Sequence, residues 1–527
     1  MTSSPRILIA GGGTAGWMTA AYLARVFGQG AGAPRITLIE SPDIGTVGVG
    51  EGSIPTIRTT LQTLGIDEAE FLRDCSATFK QGIRFDDWEV EGTSYSHPFE
   101  APYFTDGAGL LPYWLLQDPA TRPPFAEAVT LQKRVADAGR APKRAHEGGY
   151  FGGRMNYAYH FDAGRFGNLL ARYACLYGVT HLAGRISEVE TGTDGIAAVI
   201  SPEHGRIEAD FYIDCTGFAA LLIGKALGSP FHSVRDVLLT DTALAIQLPY
   251  ADPQEAIPSY TISTAHESGW TWDIGLDSRR GVGYVYSSAH SSDDRAREVL
   301  RTYLRRYAGD NAASLEPRLI RFDPGYRKAQ WVRNCCAIGL SAGFYEPLEA
   351  TGIMMIEVAI GLLVDCFPFT GPADASAALF NERMCQRYEK TAEFLKLHYC
   401  ISRRPEAFWR DNADPATIPE NLRALLDMWT YRPPSRFDTL TDIDIFAASS
   451  YQYILYGMNY PTDLRAQAPI HSRTEAADKI FARIRAFTDG AIRDLPSHRD
   501  LITQIYAHGF APPPALKRTD PFLTVSR

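Results

Sequence analysis

Residues 6–20, Arg-Ile-Leu-Ile-Ala-Gly-Gly-Gly-Thr-Ala-Gly-Trp-Met-Thr-Ala, leave the chain little choice of fold. A short apolar run enters Gly11-x-Gly13-x-x-Gly16, and an Ala-rich helical pattern follows to about residue 27. Strand, glycine turn and helix in that order make a dinucleotide-binding unit. Gly11 permits the tight turn, Gly13 admits a pyrophosphate to the backbone, and Gly16 lets helix and strand pack closely. Thr14 and Ala15 open the helix, where unpaired N–H groups and the positive dipole end face phosphate. A second strand, Arg35-Ile-Thr-Leu-Ile-Glu40, ends in an acid where a ribose hydroxyl needs an acceptor.

With 527 residues the chain exceeds one ordinary core, and a hydrophobic fraction of 45% excludes wholesale disorder. Net charge is −9 without a basic stripe, so no nucleic-acid partner is expected. The chain enters its first strand at once and its most apolar helical stretch, 352–367, carries Glu357 and Asp365. A cytoplasmic protein without membrane spans is the expectation. Eight cysteines form no C-x-x-C pair, which points to buried thiols and no metal site.

Residues 44–57 interleave Gly45, Gly48, Gly50 and Gly52 with Val and Ile, as a loop lying over the cofactor would. A helix is expected from about 56 to 75. Residues 79–88 alternate like a strand, and on periodicity Lys80 is a solvated surface lysine. Residues 89–155 are irregular and suit a substrate-side insertion. They contain His97-Pro98-Phe99, and an isolated histidine is more often structural than catalytic. A helical pattern spans 157–178, and residues 210–218 form a strand and small-residue turn returning beside the cofactor. Antiparallel sheet is expected over 237–285, with Trp270 and Trp272 on one face of a strand. Next come a glycine-rich turn holding Ser341, then Glu346-Pro-Leu-Glu349-Ala-Thr351-Gly352 and a helix whose free N–H groups suit a small anion. Residues 375–527 read as mainly helical, with joints at 404–419, 431–437 and 511–521.

Together these pieces resemble the flavin-dependent halogenases, most closely the tryptophan halogenase group, over nearly the whole chain. The resemblance rests on Gly11-x-Gly13-x-x-Gly16, Lys80 in Phe-Lys-Gln-Gly-Ile, Trp270-x-Trp272-x-Ile274 and residues 346–352. It implies an α/β fold of the FAD-binding, glutathione-reductase-like Rossmann type, with antiparallel additions. Residues 1–370 would bind FAD and oxidise halide, and 371–527 would form a helical substrate lobe. FAD, reduced by a separate NAD(P)H-dependent reductase, would bind through Gly11, Gly13, Thr14, Ala15, Gly16, Glu40, Gly50 and Ser341. Chloride or bromide, at Thr351 and Gly352, would become hypohalous acid and pass to Lys80. There the amine forms a haloamine or holds the acid by a hydrogen bond; both remain open. Glu346 would act as the base on the ring. His97 and Phe99 would sandwich an indole, and Trp270 and Trp272 would wall the substrate from the flavin. A homodimer is left open.

Two departures from the family pattern stand out. Gly275 replaces the proline of the tryptophan signature, which is expected to loosen that strand end. Residues 450–459, Ser-Tyr-Gln-Tyr-Ile-Leu-Tyr-Gly-Met-Asn, only loosely resemble the segment that binds the amino-acid backbone. Tryptophan, indole and larger indole derivatives all stay open. An aromatic hydroxylase fed by a reductase, and a catalytically silent flavin-binding protein, are the alternatives.

Overall fold

The computed structural model describes residues 4–43, 45, 50–105, 108–146, 151–369, 373–440 and 445–510. Residues 44 and 46–49 of the glycine-rich loop, and the joint at 511–521, lie outside the described residues.

The opening strand Arg6–Ala10 sits inside a six-stranded sheet, between Arg35–Glu40 and Phe211–Asp214, with all three parallel. Thr180–Ala183 extends it on one side, Cys335–Ala337 and Trp331–Val332 on the other. The expected return of the chain beside the first strand is therefore present, in register Ala10 to Asp214. Gly11 turns out of the strand at φ 105°, and a side chain there would meet the Cys215 carbonyl at 2.2 Å. Only glycine fits that turn. Gly16 faces inward from the helix Thr14–Phe27, where a methyl group would come within 1.8 Å of the Gly11 carbonyl oxygen.

A seven-stranded sheet provides the second wall. Its order is Arg318–Arg321, Thr242–Pro249, Arg279–Tyr286, Gly269–Gly275, Thr261–His266, Gly82–Asp86, Ser94–Pro98, antiparallel except for the Thr261/Gly82 pair. Alternation sorts its two faces. Leu244, Ile246, Val282 and Tyr284 pack under the amphipathic helix Asp293–Ala308. Ala243, Ala245, Thr261, Ser263, Trp270, Trp272 and Ile274 face the other way, into a cavity. Gly275 does not loosen its strand. It pairs with Arg280, and its carbonyl accepts a 2.6 Å hydrogen bond from Thr78 Oγ1.

Two expected elements are each divided. The helix expected over 56–75 is two, Ile57–Thr63 and Glu68–Asp74, broken at Gly65 and restarted by the Asp67 cap. The strand expected over 79–88 splits at Gln81: Thr78–Lys80 pairs with Ala158–Phe161 in a small three-stranded sheet, whereas Gly82–Asp86 joins the large one. Gly82, at φ 151°, makes the change of sheet. Lys80 is consequently covered on both sides and is 0% exposed, which overturns the surface reading drawn from periodicity.

Residues 374–510 are mainly helical where described, beginning with the long helix Asp374–Cys400. The insertion at 89–155 is less irregular than expected, holding the strand Ser94–Pro98 and three short helices. All eight cysteines are free, five of them buried. Among the described residues no cluster suits a metal ion and no helix is long and apolar enough to cross a membrane.

Candidate active site

Between the two large sheets lies a cavity of about 630 Å³. One end is glycine and backbone. Gly11, Gly13, Thr14, Ala15, Glu40 and Gly50 line it, with Gly217 and Gly339 from the neighbouring strand ends. Gly13 caps the first helix in extended conformation, and a methyl group added to it would meet nothing within 4 Å. That open space at a helix N-terminus fits the pyrophosphate of a dinucleotide. Glu40 lies beside Gly12 and is paired with His181 Nε2 at 2.9 Å.

Two residues expected to bind the cofactor act differently. Gly16 is a packing residue, behind the turn and off the cavity lining. Ser341 is buried with its hydroxyl donating to the carbonyls of Asp214 and Ile338, so it ties the turn to the sheet and presents no group to the cavity.

The other end of the cavity carries charge. Lys80 Nζ enters it and donates to the Ser53 carbonyl at 3.1 Å. Burial pulls the amine down to about 8, with Glu349 opposing that shift. Phe99, beyond the lining, places its ring centroid 5.4 Å from Nζ. Glu349 also lines the cavity and is buried; both its oxygens lie 2.9 Å from His97 Nδ1, and Oε1 lies 3.0 Å from His398 Nε2. The two histidines hold this carboxyl far below the usual carboxylate range despite its burial. His97 thus comes to the site through Glu349, its ring flanked by Phe394, Phe446 and Tyr453.

Glu346, expected to be the base, is placed elsewhere. It is buried behind Trp270 and off the cavity lining, accepting from Thr240 Oγ1 and Tyr399 OH at 2.6 Å each and from Trp270 Nε1 at 3.3 Å. Burial raises its pKa, and its hydrogen bonds come from neutral groups. The reason lies in the backbone. Glu349 and Ala350 are both left-handed, at φ 62° and 57°, and this double turn directs residue 349 to the cavity immediately before the helix Thr351–Cys366. Thr351 and Gly352 line the cavity at that helix start. Of the two acids in this segment, Glu349 is the one that lines the cavity; His398, in the last turn of Asp374–Cys400, reaches it from a distant element with no local sequence signal.

Trp270 and Trp272 both line the cavity, ring centroids 6.4 Å apart. Trp272 rests on Gly283, where any side chain would collide with its ring at 2.1 Å. Lys80 and Glu349 line the cavity, whereas His97 and Phe99 lie off the lining, His97 against Glu349 and Phe99 against Lys80. The site therefore couples a dinucleotide cradle to a buried amine and a buried ionised carboxylate.

Comparison with known proteins bears on the chain as a whole. Residues 6–472 match the tryptophan halogenase family model. The chain is 36% identical to the tryptophan 6-halogenase SttH of Streptomyces toxytricini, over 93% of this chain and 96% of that protein. It is 33% identical to the tryptophan 7-halogenase RebH of Lentzea aerocolonigenes, over 95% and 98% respectively. The crystal structure of a tryptophan halogenase from Shewanella frigidimarina superposes with a TM-score of 0.90 at 40% identity, covering 97% of this chain and 99% of that one. The chain belongs to the tryptophan halogenase family and is a flavin-dependent halogenase.

Proposed function

We propose that this enzyme halogenates an indole-type aromatic ring, with Lys80 presenting the electrophilic halogen and Glu349 facing the ring as the base. The observation that carries the reading is a fully buried amine at the end of the glycine-lined cavity, electrostatically coupled to Glu349. Reduced FAD, delivered by a separate NAD(P)H-dependent reductase in the cytoplasm, supplies with oxygen the two-electron oxidation that turns halide into hypohalous acid. Thr351 and Gly352 hold the halide at a helix N-terminus, where backbone N–H groups have no partner within the helix.

Near pH 8 Lys80 is divided between ammonium and free amine. The ammonium donates to the oxygen of hypohalous acid and leaves the halogen electrophilic; the free amine takes the halogen itself. Either route keeps the oxidant at Nζ. Glu349 is the ionised carboxylate beside it on the cavity lining, so it stabilises the positive charge developing on an attacked ring and accepts the displaced proton. Glu346 has a supporting role, fixing Trp270, which with Trp272 keeps the ring from the cofactor. Residues 371–527 supply the substrate lobe. Tyr453 OH donates to the Glu100 carbonyl, and Asn459 Nδ2 to Glu89.

Mass spectrometry of an indole panel with FAD, a generic reductase and chloride or bromide tests this. A halogen isotope doublet is expected on an indole carbon. Hydroxylated product formed without halide would sink the proposal.

A further inference from the structure

Thr261, at the start of the strand beside the tryptophan strand, lines the cavity close to Lys80. The meeting point is Gly52. A methyl group built there would lie 3.1 Å from Lys80 Nζ, 3.5 Å from His160 Cδ2 and 3.6 Å from Thr261 Oγ1. Three polar side chains from three strands thus converge on a residue that contributes none.

His160 is 0% exposed, on the strand that pairs with both Gly52 and Thr78. Its Nε2 lies 2.8 Å from Thr261 Oγ1, and its Nδ1 is buried without a hydrogen-bond partner. Burial, with the positive field of Lys80, depresses its pKa well below the ordinary range, so the ring is neutral. A neutral imidazole has one N–H and one lone pair. A buried N–H at Nδ1 would be an orphaned donor, a severe cost, whereas an idle lone pair there costs less. The proton therefore belongs on Nε2, which donates to Thr261 Oγ1. With its oxygen accepting from His160, the Thr261 hydroxyl is left to direct its own hydrogen into the cavity.

Resting on the halogenase reading above, we propose that Thr261 is a second donor to the oxygen of hypohalous acid beside Lys80, and that His160 is the positioning residue that aims it. A lone ammonium fixes one atom of the oxidant; a second donor from the sheet fixes its orientation. No bond is made or broken in this step.

The test measures partition. Thr261→Val is expected to retain FAD binding and to lower the ratio of halogenated indole to free hypohalous acid, caught by a soluble 1,3-diketone, by about tenfold, the worth of one hydrogen bond. Thr261→Ser, which keeps the hydroxyl, restores the ratio. His160→Gln, with an amide N–H near the Nε2 position, recovers more of it than His160→Leu. An unchanged ratio in Thr261→Val, or equal losses in Ser and Val, overturns the proposal. A readout independent of turnover is the ¹⁵N spectrum of histidine-labelled protein without flavin. A proton on His160 Nε2 supports the assignment, and one on Nδ1 refutes it, because Thr261 would then have to donate to the ring. Lys80→Ala serves as the separate control. If it retains full indole halogenation, the halogenase reading of Lys80 fails independently of Thr261.

Discussion

The two ends of the cavity are built by opposite means. At the glycine end, the working parts are backbone N–H groups and empty space, set by residues within a few positions of one another. At the lysine end they are buried ionisable side chains drawn from residues as far apart as 80, 97, 349 and 398. The first end leaves room for a ligand; the second, in the function proposed above, draws its reactivity from excluding water, where fields between charges are far stronger than at the surface. Binding and chemistry should therefore separate cleanly under mutation.

The largest effect is expected at Lys80. Lys80→Ala should lower halogenation by at least about a hundredfold while leaving FAD affinity within a factor of two, measured by flavin fluorescence. Stability should move the other way. Because burial lowers the Lys80 pKa to about 8 from 10.5, the cost of its charge is fully present below about pH 8 and is relieved as pH rises toward 10.5. Lys80→Met should accordingly raise the melting temperature at pH 7, and a drop would weaken the contrast between the two ends.

Next come the paired acids. Glu349 is held below the ordinary carboxylate range, so its contribution to stability is fully present above that range and is lost as pH falls below it, through the depressed folded value. Removing it strands two buried histidines, and Glu349→Gln should cost about 3 kcal/mol at pH 7 along with most of the turnover. Glu346 has the opposite sign. Its raised pKa makes its charge a burden above the ordinary range. Glu346→Gln should leave stability at pH 7 unchanged or higher, and show up as disturbed Trp270 fluorescence and partial loss of product. Equal behaviour of the two variants in urea titrations would erase the distinction between them.

Smaller effects belong to the glycine end. Gly13→Ala should weaken FAD binding by about tenfold without lowering the apoprotein melting temperature, since the added methyl group meets only open space. Ser341→Ala should do the reverse, costing about 1 kcal/mol of stability with FAD affinity unchanged.

The same contrast explains what was legible beforehand. Gly11 to Gly16 could be read from spacing because one turn does the whole job. Trp270 and Trp272 were legible because a strand alternates, and they do share a face. Lys80 could not be placed by periodicity, because the strand that carries it changes sheets at Gly82, and a change of partner leaves no period. The motif at 346–352 marks a segment that meets the cavity, but the acid that lines it is Glu349 and not Glu346. Pro347 marks the extended residue before it, but nothing local announces two successive left-handed residues after it. The contacts of His398 with Glu349 and of His160 with Thr261 form only when distant elements pack.

The left-handed pair Glu349–Ala350 costs about 1–2 kcal/mol per residue, which is tolerable only in a well-braced surrounding. That kink makes the acid and the cavity-facing helix start, proposed above to hold halide, a single rigid piece, so neither can be retuned alone. An engineer wishing to change the ring's approach angle without disturbing ion capture should leave residues 349–352 untouched and work from the histidine side.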